Sequence, residues 1–393
     1  MPWPIPTLTT IERPKPISVR MWFPVLLALT AAVAVAVLKL WPEGKSTQTA
    51  IFWFLLIGAP SAAVCPVFGW RLNRWEQEQL TAEESEREKM RVESLWRDWC
   101  RRSLPVAHAE AFLPQAVNGT KLADRDAQLP VNINRSAGFD WAKDKTGEQR
   151  RLDLLGLIAA RFKNRLEGTH EVALTLILDR ASFAHEASWK TEAKRIFEAV
   201  VPGVEVNVDA SLATDCVDWI EQHIDSDELP ARLIVAAQVW LGEGDHAFSE
   251  GAAAILFAPR TVGFERITAS SAPVVGYVLR PMTTESETLK ADLSQLVEMQ
   301  VAPDSVTHAW FTGCDDAFEV ATVGSISSPE TKVVDRLVDS FAGLPGPVSG
   351  WIALSLALDA AKSIPDQQLV VWHQTGGDQP RLCVVAPGEF EGS

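Results

Sequence analysis

Two uncharged apolar runs near the N-terminus constrain this chain more than any other feature. Met21 to Leu38 is eighteen residues long, and Ala50 to Trp70 adds twenty-one more. A helix needs roughly 20 apolar residues to cross the hydrocarbon core of a bilayer. Trp22, Trp41 and Trp70 stand near the run ends, where interfacial aromatics belong. The competing reading of the first run is a cleaved signal peptide. No small-x-small site precedes a polar stretch, however, and a second apolar run follows at once. The expectation is a two-span anchor over residues 21–70, preceded by a tail of residues 1–20. Pro60 and Pro66 leave a kink or a re-entrant loop open for the second span.

Lysine and arginine set the orientation. Arg13, Lys15 and Arg20 precede the first span, and Arg71 and Arg74 follow the second. The intervening loop holds only Lys39 and Lys45. The bias favours both termini in the cytoplasm.

Residues 71–102 read as a connector helix, free of Gly and Pro after Gly69. Glu83 with Arg87 and Glu93 with Arg97 are spaced as favourable i,i+4 pairs. Val92, Leu95, Trp96 and Trp99 make an apolar stripe at helical spacing, which predicts last turns docked on a folded domain. The stripe does not persist over several heptads, which argues against a coiled coil. Residues 103–150 read as an irregular lead-in. From about 151 to 393 the pattern is α/β. Helical spacing over 151–166, 186–200 and 213–224 alternates with strand-like runs at 171–179, 204–208, 231–239 and 252–257. A strand at 306–310, a helix from Asp316, an apolar helix over 349–362 and strands at 368–372 and 381–385 follow. The alternation implies a layered sheet with covering helices.

The formal charge of −15 argues against a nucleic-acid partner, since phosphate binding needs a basic surface. The five cysteines are scattered and form no CxxC pair, which suits reduced thiols in a cytoplasmic domain. Nothing in the spacing of His, Cys, Asp and Glu points to a metal site, and no cofactor motif is present. The carboxylates Asp315 and Asp316, and Asp225, Asp227 and Glu228, read as solvated turns and caps.

One stretch carries a resemblance. Thr307 to Val320 reads THAWFTGCDDAFEV. It resembles the HGTxTxxxDxxE segment of β-ketoacyl synthases, which have a thiolase-like fold. His308, Thr312, Asp316 and Glu319 fall at the matching offsets, with Ala309-Trp310 replacing Gly-Thr. Phe248 to Phe257 (FSEGAAAILF) and Leu344 to Lys362 (LPGPVSGWIALSLALDAAK) resemble two further synthase segments, in the same order. Gly376, Gly377 and the strand after them fit the family's ending. The resemblance covers residues 130–388 and implies a layered thiolase-like α/β/α domain. It also implies a lost active site. Pro347 stands where the second His belongs, and Ala342 where the Lys belongs. The nucleophile is expected at 210–212, where Ser211 is the only hydroxyl and no Cys is present. Cys216 lies several residues beyond that window. His308 alone makes no acyl-transfer centre.

The whole layout resembles the type VI secretion lipase-adaptor family of Proteobacteria, long catalogued as a domain of unknown function. That resemblance implies a non-enzymatic protein of the bacterial inner membrane. It would hold a secreted phospholipase-type effector and deliver it to the spike protein of the secretion machine. Two other classes stay open. One is a membrane-bound acyltransferase or hydrolase, which needs Ser211 and His308 in one pocket. The other is an envelope subunit that binds acyl carrier protein or lipid through the old synthase pocket, unless Trp310 and Trp351 fill it. A homodimer is compatible with each.

Overall fold

The computed structural model describes residues 3–388 except 7, 116, 214–215, 227, 243, 245, 262–272, 303–304, 328–331, 375–376 and 378. Asp227 and Gly376 therefore lie outside the described residues. The chain divides into two compact units, residues 5–96 and residues 1–4 with 97–393.

In the first unit, α1 (Val19–Leu40) and α2 (Ala50–Cys100) are both long and apolar enough to cross a membrane. α2 runs unbroken through Pro60 and Pro66, so the second span and the connector are one helix without a re-entrant loop. The tail before α1 lies along the polar stretch of α2. Arg13 pairs with Glu86 at 2.6 Å, the Ile11 N–H donates to Ser85 Oγ, and Trp75 Nε1 donates to the Lys15 carbonyl at 3.1 Å. On the connector, Glu83 and Arg87 pair at 3.6 Å as expected. Glu93 pairs with Lys89 at 3.7 Å rather than with Arg97. Leu95 of the apolar stripe is exposed, whereas Cys100 at the helix end is fully buried.

The second unit holds a mixed sheet of eleven strands, beside a two-stranded ribbon that pairs Glu228–Leu229 with Arg260–Thr261. Its ten main strands are β1 (Ser103–Phe112), β2 (Glu171–Leu178), β3 (Glu205–Leu212), β4 (Arg232–Gln238), β5 (Gly251–Phe257), β6 (Gly276–Leu279), β7 (Val306–Thr312), β8 (Val334–Leu337), β9 (Gln367–His373) and β10 (Pro380–Pro387). Met282–Thr283 pairs with β10 off the main path. The spatial order is β8-β7-β9-β10-β6-β1-β5-β4-β2-β3. The sheet is two copies of one pattern. β1-β5-β4-β2-β3 becomes β6-β10-β9-β7-β8 when each index rises by five. The pairing directions repeat as well. β5 and β10 are antiparallel to both neighbours on the path, and the outer three strands of each half are parallel. β1 and β6 join the halves antiparallel.

Helices repeat with the strands. α3 (Gly119–Ala123) and α4 (Gly147–Leu166) follow β1, α5 (Glu186–Val200) links β2 to β3, and α6 (Cys216–Ile224) follows β3. In the second half α7 (Leu289–Gln300) follows β6, α8 (Asp316–Ile326) links β7 to β8, and α9 (Val338–Ala342) and α10 (Ser349–Ala360) follow β8. One apolar cluster joins α4 and α5 to one face of the first half. A second cluster packs α6 and α10 together on the opposite face, against strands of both halves. α10 is buried around its whole circumference, which explains why no polar face interrupts its sequence. α4 starts on a capping box between Thr146 and Gln149.

The lead-in at 103–150 is a correction to the sequence reading. β1 lies at the centre of the sheet, so the folded unit begins before residue 103 and not at 151. Pro105, His108 and Glu110 break the apolar pattern of β1, while its pairing on both sides holds it in the core. β3 is also four residues longer than its apolar run. It is the outermost strand of its half, and Asp209 and Ser211 face solvent there.

Candidate functional site

The C-terminal ends of β7 and β8 meet the loops that lead into α8 and α10. Thr312 closes β7, and its hydroxyl donates to Asp339 Oδ1 at 2.6 Å. Gly313 turns the chain with φ at +69°, a conformation that suits glycine, and its N–H donates to Asp339 Oδ2 at 2.6 Å. Asp315 then caps α8 by accepting from the Phe318 N–H at 2.8 Å. Asp339 in α9 thus fixes the turn after β7, and Gly343, at φ +90°, ends α9. A groove of about 560 Å³ opens here, walled by Asp316, Glu319, Asp339, Ile133 and Leu337, with Cys314 beside them. A small cavity of about 20 Å³ adjoins it, sharing Asp339 and the 343–345 segment, and is lined also by Thr312, Gln238 and Ser349.

The groove is acidic. Burial, then Asp316, Asp339, Asp335 and Asp315, push the Glu319 carboxyl up to about 7. Burial raises Asp339 against the opposing pull of its two hydrogen bonds. Burial, then Glu319, Asp339 and Asp315, push the Cys314 thiol up to about 12, so it is no thiolate at neutral pH. Among the described residues, no group of three His, Cys, Asp or Glu side chains is placed to hold a metal ion.

Thr312, Asp316 and Glu319 therefore gather at this end of the sheet. His308 does not join them. It sits four residues upstream on β7, roughly 13 Å along the strand. Its ring bonds the Ala123 backbone and the Thr307 hydroxyl, and burial lowers its basicity. The strand runs two residues beyond the expected 306–310, and His308 lines neither the groove nor the small cavity beside it. Ser211 lies on the exposed edge strand β3 and lines none of the cavities at this end of the sheet. Pro347 sits in the loop before α10, and its carbonyl accepts from Gln374 Nε2 at 3.0 Å.

Because β3 extends to Leu212, the helix after it begins later than expected. Cys216 is the first described residue of α6. It is buried and faces the head of α10. A Cβ on Gly350 would meet Trp372 at 2.8 Å and Cys216 Sγ at 3.2 Å. The surroundings of Cys216 are apolar, and Trp310, Trp351 and Trp372 fill the space between the central helices and the sheet.

The Phe248–Phe257 segment serves the scaffold. Glu250 is fully buried and accepts from Arg150 Nη1 at 2.6 Å, the Phe139 N–H at 2.9 Å and the Trp240 N–H at 3.0 Å. Gln238 ties Ser249 to the loop before α10, donating to the Ser249 carbonyl at 2.7 Å and accepting from the Val348 N–H at 3.1 Å. Asp225, read from sequence as a solvated turn, instead accepts from both Arg102 and Arg280. Gln238 and Asp339 gave no signal in the sequence, because each bonds groups distant along the chain.

No family model and no curated protein matches the sequence. Solved structures do resemble it. The peroxisomal 3-ketoacyl-CoA thiolase of Saccharomyces cerevisiae is 10% identical, with a TM-score of 0.46 over 73% of this chain and 98% of that one. The human mitochondrial 3-ketoacyl-CoA thiolase in complex with CoA is 9% identical, with a TM-score of 0.45 over 73% and 98%. A type II PKS ketosynthase in complex with its acyl-carrier protein is 14% identical, with a TM-score of 0.44 over 73% and 99%. These likenesses say nothing of activity.

Proposed function

We propose that this chain is a membrane-anchored, non-enzymatic binding protein on a duplicated, thiolase-like α/β scaffold. In its finer form, the reading is an adaptor for a secreted phospholipase-type effector that is loaded on a type VI spike protein. The observation that carries the non-enzymatic part is the filled interior. Trp310 and Trp351 are essentially inaccessible, with Trp372 beside them, and they pack the space between the central helices and the sheet. Pro347 at the second His position and His308 turned toward Ala123 support the same reading. The strand order repeated in both halves supports the scaffold. The tail bonded to α2 beyond the second span supports a hairpin anchor with tail and connector on one side, taken here as the cytoplasmic side of a bacterial inner membrane.

One observation favours a second reading. Cys216 at the head of α6, facing the head of α10, is where a divergent acyl-transferring enzyme would place a thiol. Against this, Cys216 is only 1% exposed and lines neither the groove nor the small cavity beside it.

The test is co-purification of the full-length protein in mild detergent, with the bound proteins identified by mass spectrometry. Recovery of a lipase-type effector or a spike protein supports the adaptor. Recovery of acyl carrier protein alone overturns it. Acyl-thioester turnover that disappears in Cys216→Ala would establish the second reading instead.

A further inference from the structure

The groove at the ends of β7 and β8 has a charge pattern that selects its occupant. Asp316, Glu319 and Asp339 line it, Asp315 and Asp335 stand close behind, and no lysine or arginine is among its walls. Asp339 is held by Thr312 and Gly313, and Glu319 enters no ion pair among the described residues. Apolar groups stand among the walls of this acidic floor: Ile133, which is 59% exposed, with Leu337, Leu344 and Pro345. Such side chains are ordinary singly, but here they flank a concave acidic surface.

A second, independent feature points the same way. The small cavity next to the groove is lined by Ser349, which is 4% exposed. Its hydroxyl has no hydrogen-bond partner. A buried hydroxyl left unpaired costs free energy, on the order of 1–3 kcal/mol. The cavity's roughly 20 Å³ is suited to a single small polar group. Its lining offers acceptors: the Asp339 carboxylate, Thr312 and Ser349 oxygens, and the Gln238 amide.

We propose that this groove docks a lysine-bearing, apolar-flanked segment of a protein partner, with the lysine ammonium directed toward the Asp339–Ser349 cavity. An ammonium is a compact point charge with three donors, whereas a guanidinium is a broad planar fork. Two carboxylates at the mouth complement the charge and speed encounter. Acidic occupants, including phosphate-bearing carriers, are repelled by these carboxylates, most strongly above about pH 7, where Glu319 is ionised. The proposal rests on reading the chain as a binding protein, and it names the chemistry that the bound segment presents.

The experiment is a fluorescence titration of full-length protein in mild detergent with a dansyl-labelled peptide Leu-Lys-Leu-Lys-Leu. The comparison peptide replaces each lysine with norleucine. The lysine peptide is expected to bind and the norleucine peptide to bind at least about tenfold more weakly. The double variant Asp316→Asn/Glu319→Gln is expected to weaken lysine-peptide binding by about tenfold. A charge-matched control, Asp144→Asn/Glu167→Gln, is expected to leave it unchanged. Ile133→Ser, on the exposed rim, gives a second variant that does not touch the acidic floor and is expected to weaken binding several-fold. Equal affinity for the two peptides, or equal losses in the control and groove variants, overturns the proposal. The same groove variant in the co-purification keeps the two readings apart. If wild type and variant capture a partner equally, the adaptor stands and the groove falls. If wild type captures none, the adaptor reading falls, and the peptide titration alone judges the groove.

Discussion

Trp3 and Trp99 meet edge to face, their ring centroids 6.0 Å apart, although almost a hundred residues of chain separate them. Trp3 Nε1 also donates to the Pro281 carbonyl at 3.3 Å, and Gln295 Nε2 donates to the Trp3 carbonyl at 3.2 Å. Arg280 completes the knot, with its guanidinium 3.8 Å from the Trp99 ring centroid. The first residues of the chain thus belong to the same compact unit as the end of α2. Trp3→Ala removes a buried aromatic worth about 2 kcal/mol of burial. The melting temperature of the folded unit should fall by several degrees, read by intrinsic fluorescence in detergent. An unchanged melt would mean that the tail contributes nothing to the folded unit.

Arg150 and Glu250 form the most buried ion pair among the described residues, at 2.6 Å. Glu250→Ala leaves the guanidinium buried without its carboxylate and frees two backbone N–H groups. The expected loss is about 3–5 kcal/mol, read from urea unfolding of the solubilised protein. Adding Arg150→Met should recover part of that loss, because the stranded charge is removed with its partner. A double variant no more stable than Glu250→Ala would mean that the loss comes from the two backbone groups.

Glu319 makes stability depend on pH with a definite sign. Its carboxyl is raised to about 7, from an ordinary value near 4.5. Between those values the folded state holds a proton that the unfolded state has released, so stability falls as pH rises through this window. Below the lower value both states are protonated and the cost vanishes. Glu319→Gln should therefore raise the melting temperature at pH 8 and leave it unchanged at pH 4. The same stabilisation at both pH values would point to packing rather than charge.

The two apolar helices predict how the chain partitions. Full-length protein expressed in bacteria should stay with the membrane pellet after alkaline carbonate washing. A form lacking residues 5–96 should appear in the supernatant and melt cooperatively, because residues 97–393 contain both apolar clusters. Recovery of full-length protein in the wash would remove the anchor from the account.

Much of the layering was legible because buried strands and helices leave strong local patterns. α5 begins and ends at the residues that the sequence pattern marked, and β2, β4, β5, β9 and β10 differ by at most two residues at either end. β1, β6, α7 and β8 were not legible. β1 mixes Pro105, His108 and Glu110 into a central strand, and β6 and β8 are four residues each, too short to show a period. At the site, Thr312, Asp316 and Glu319 were found from a motif offset. His308, taken from the same offset, lies four residues upstream on β7 and lines neither cavity at the strand's end.

By itself the sequence determined the two apolar helices, the α/β alternation and the acid balance. Each is a property of neighbouring residues or of summed composition, governed by hydropathy, periodicity and charge. Only the tertiary structure decided that the sheet is a doubled pattern joined at β1 and β6. It alone packed Cys216 against the head of α10, left His308 out of the groove's lining, and set Asp339 under Gly313. Those outcomes depend on strand lengths and long-range hydrogen bonds, in which a shift of a few residues changes what a side chain meets.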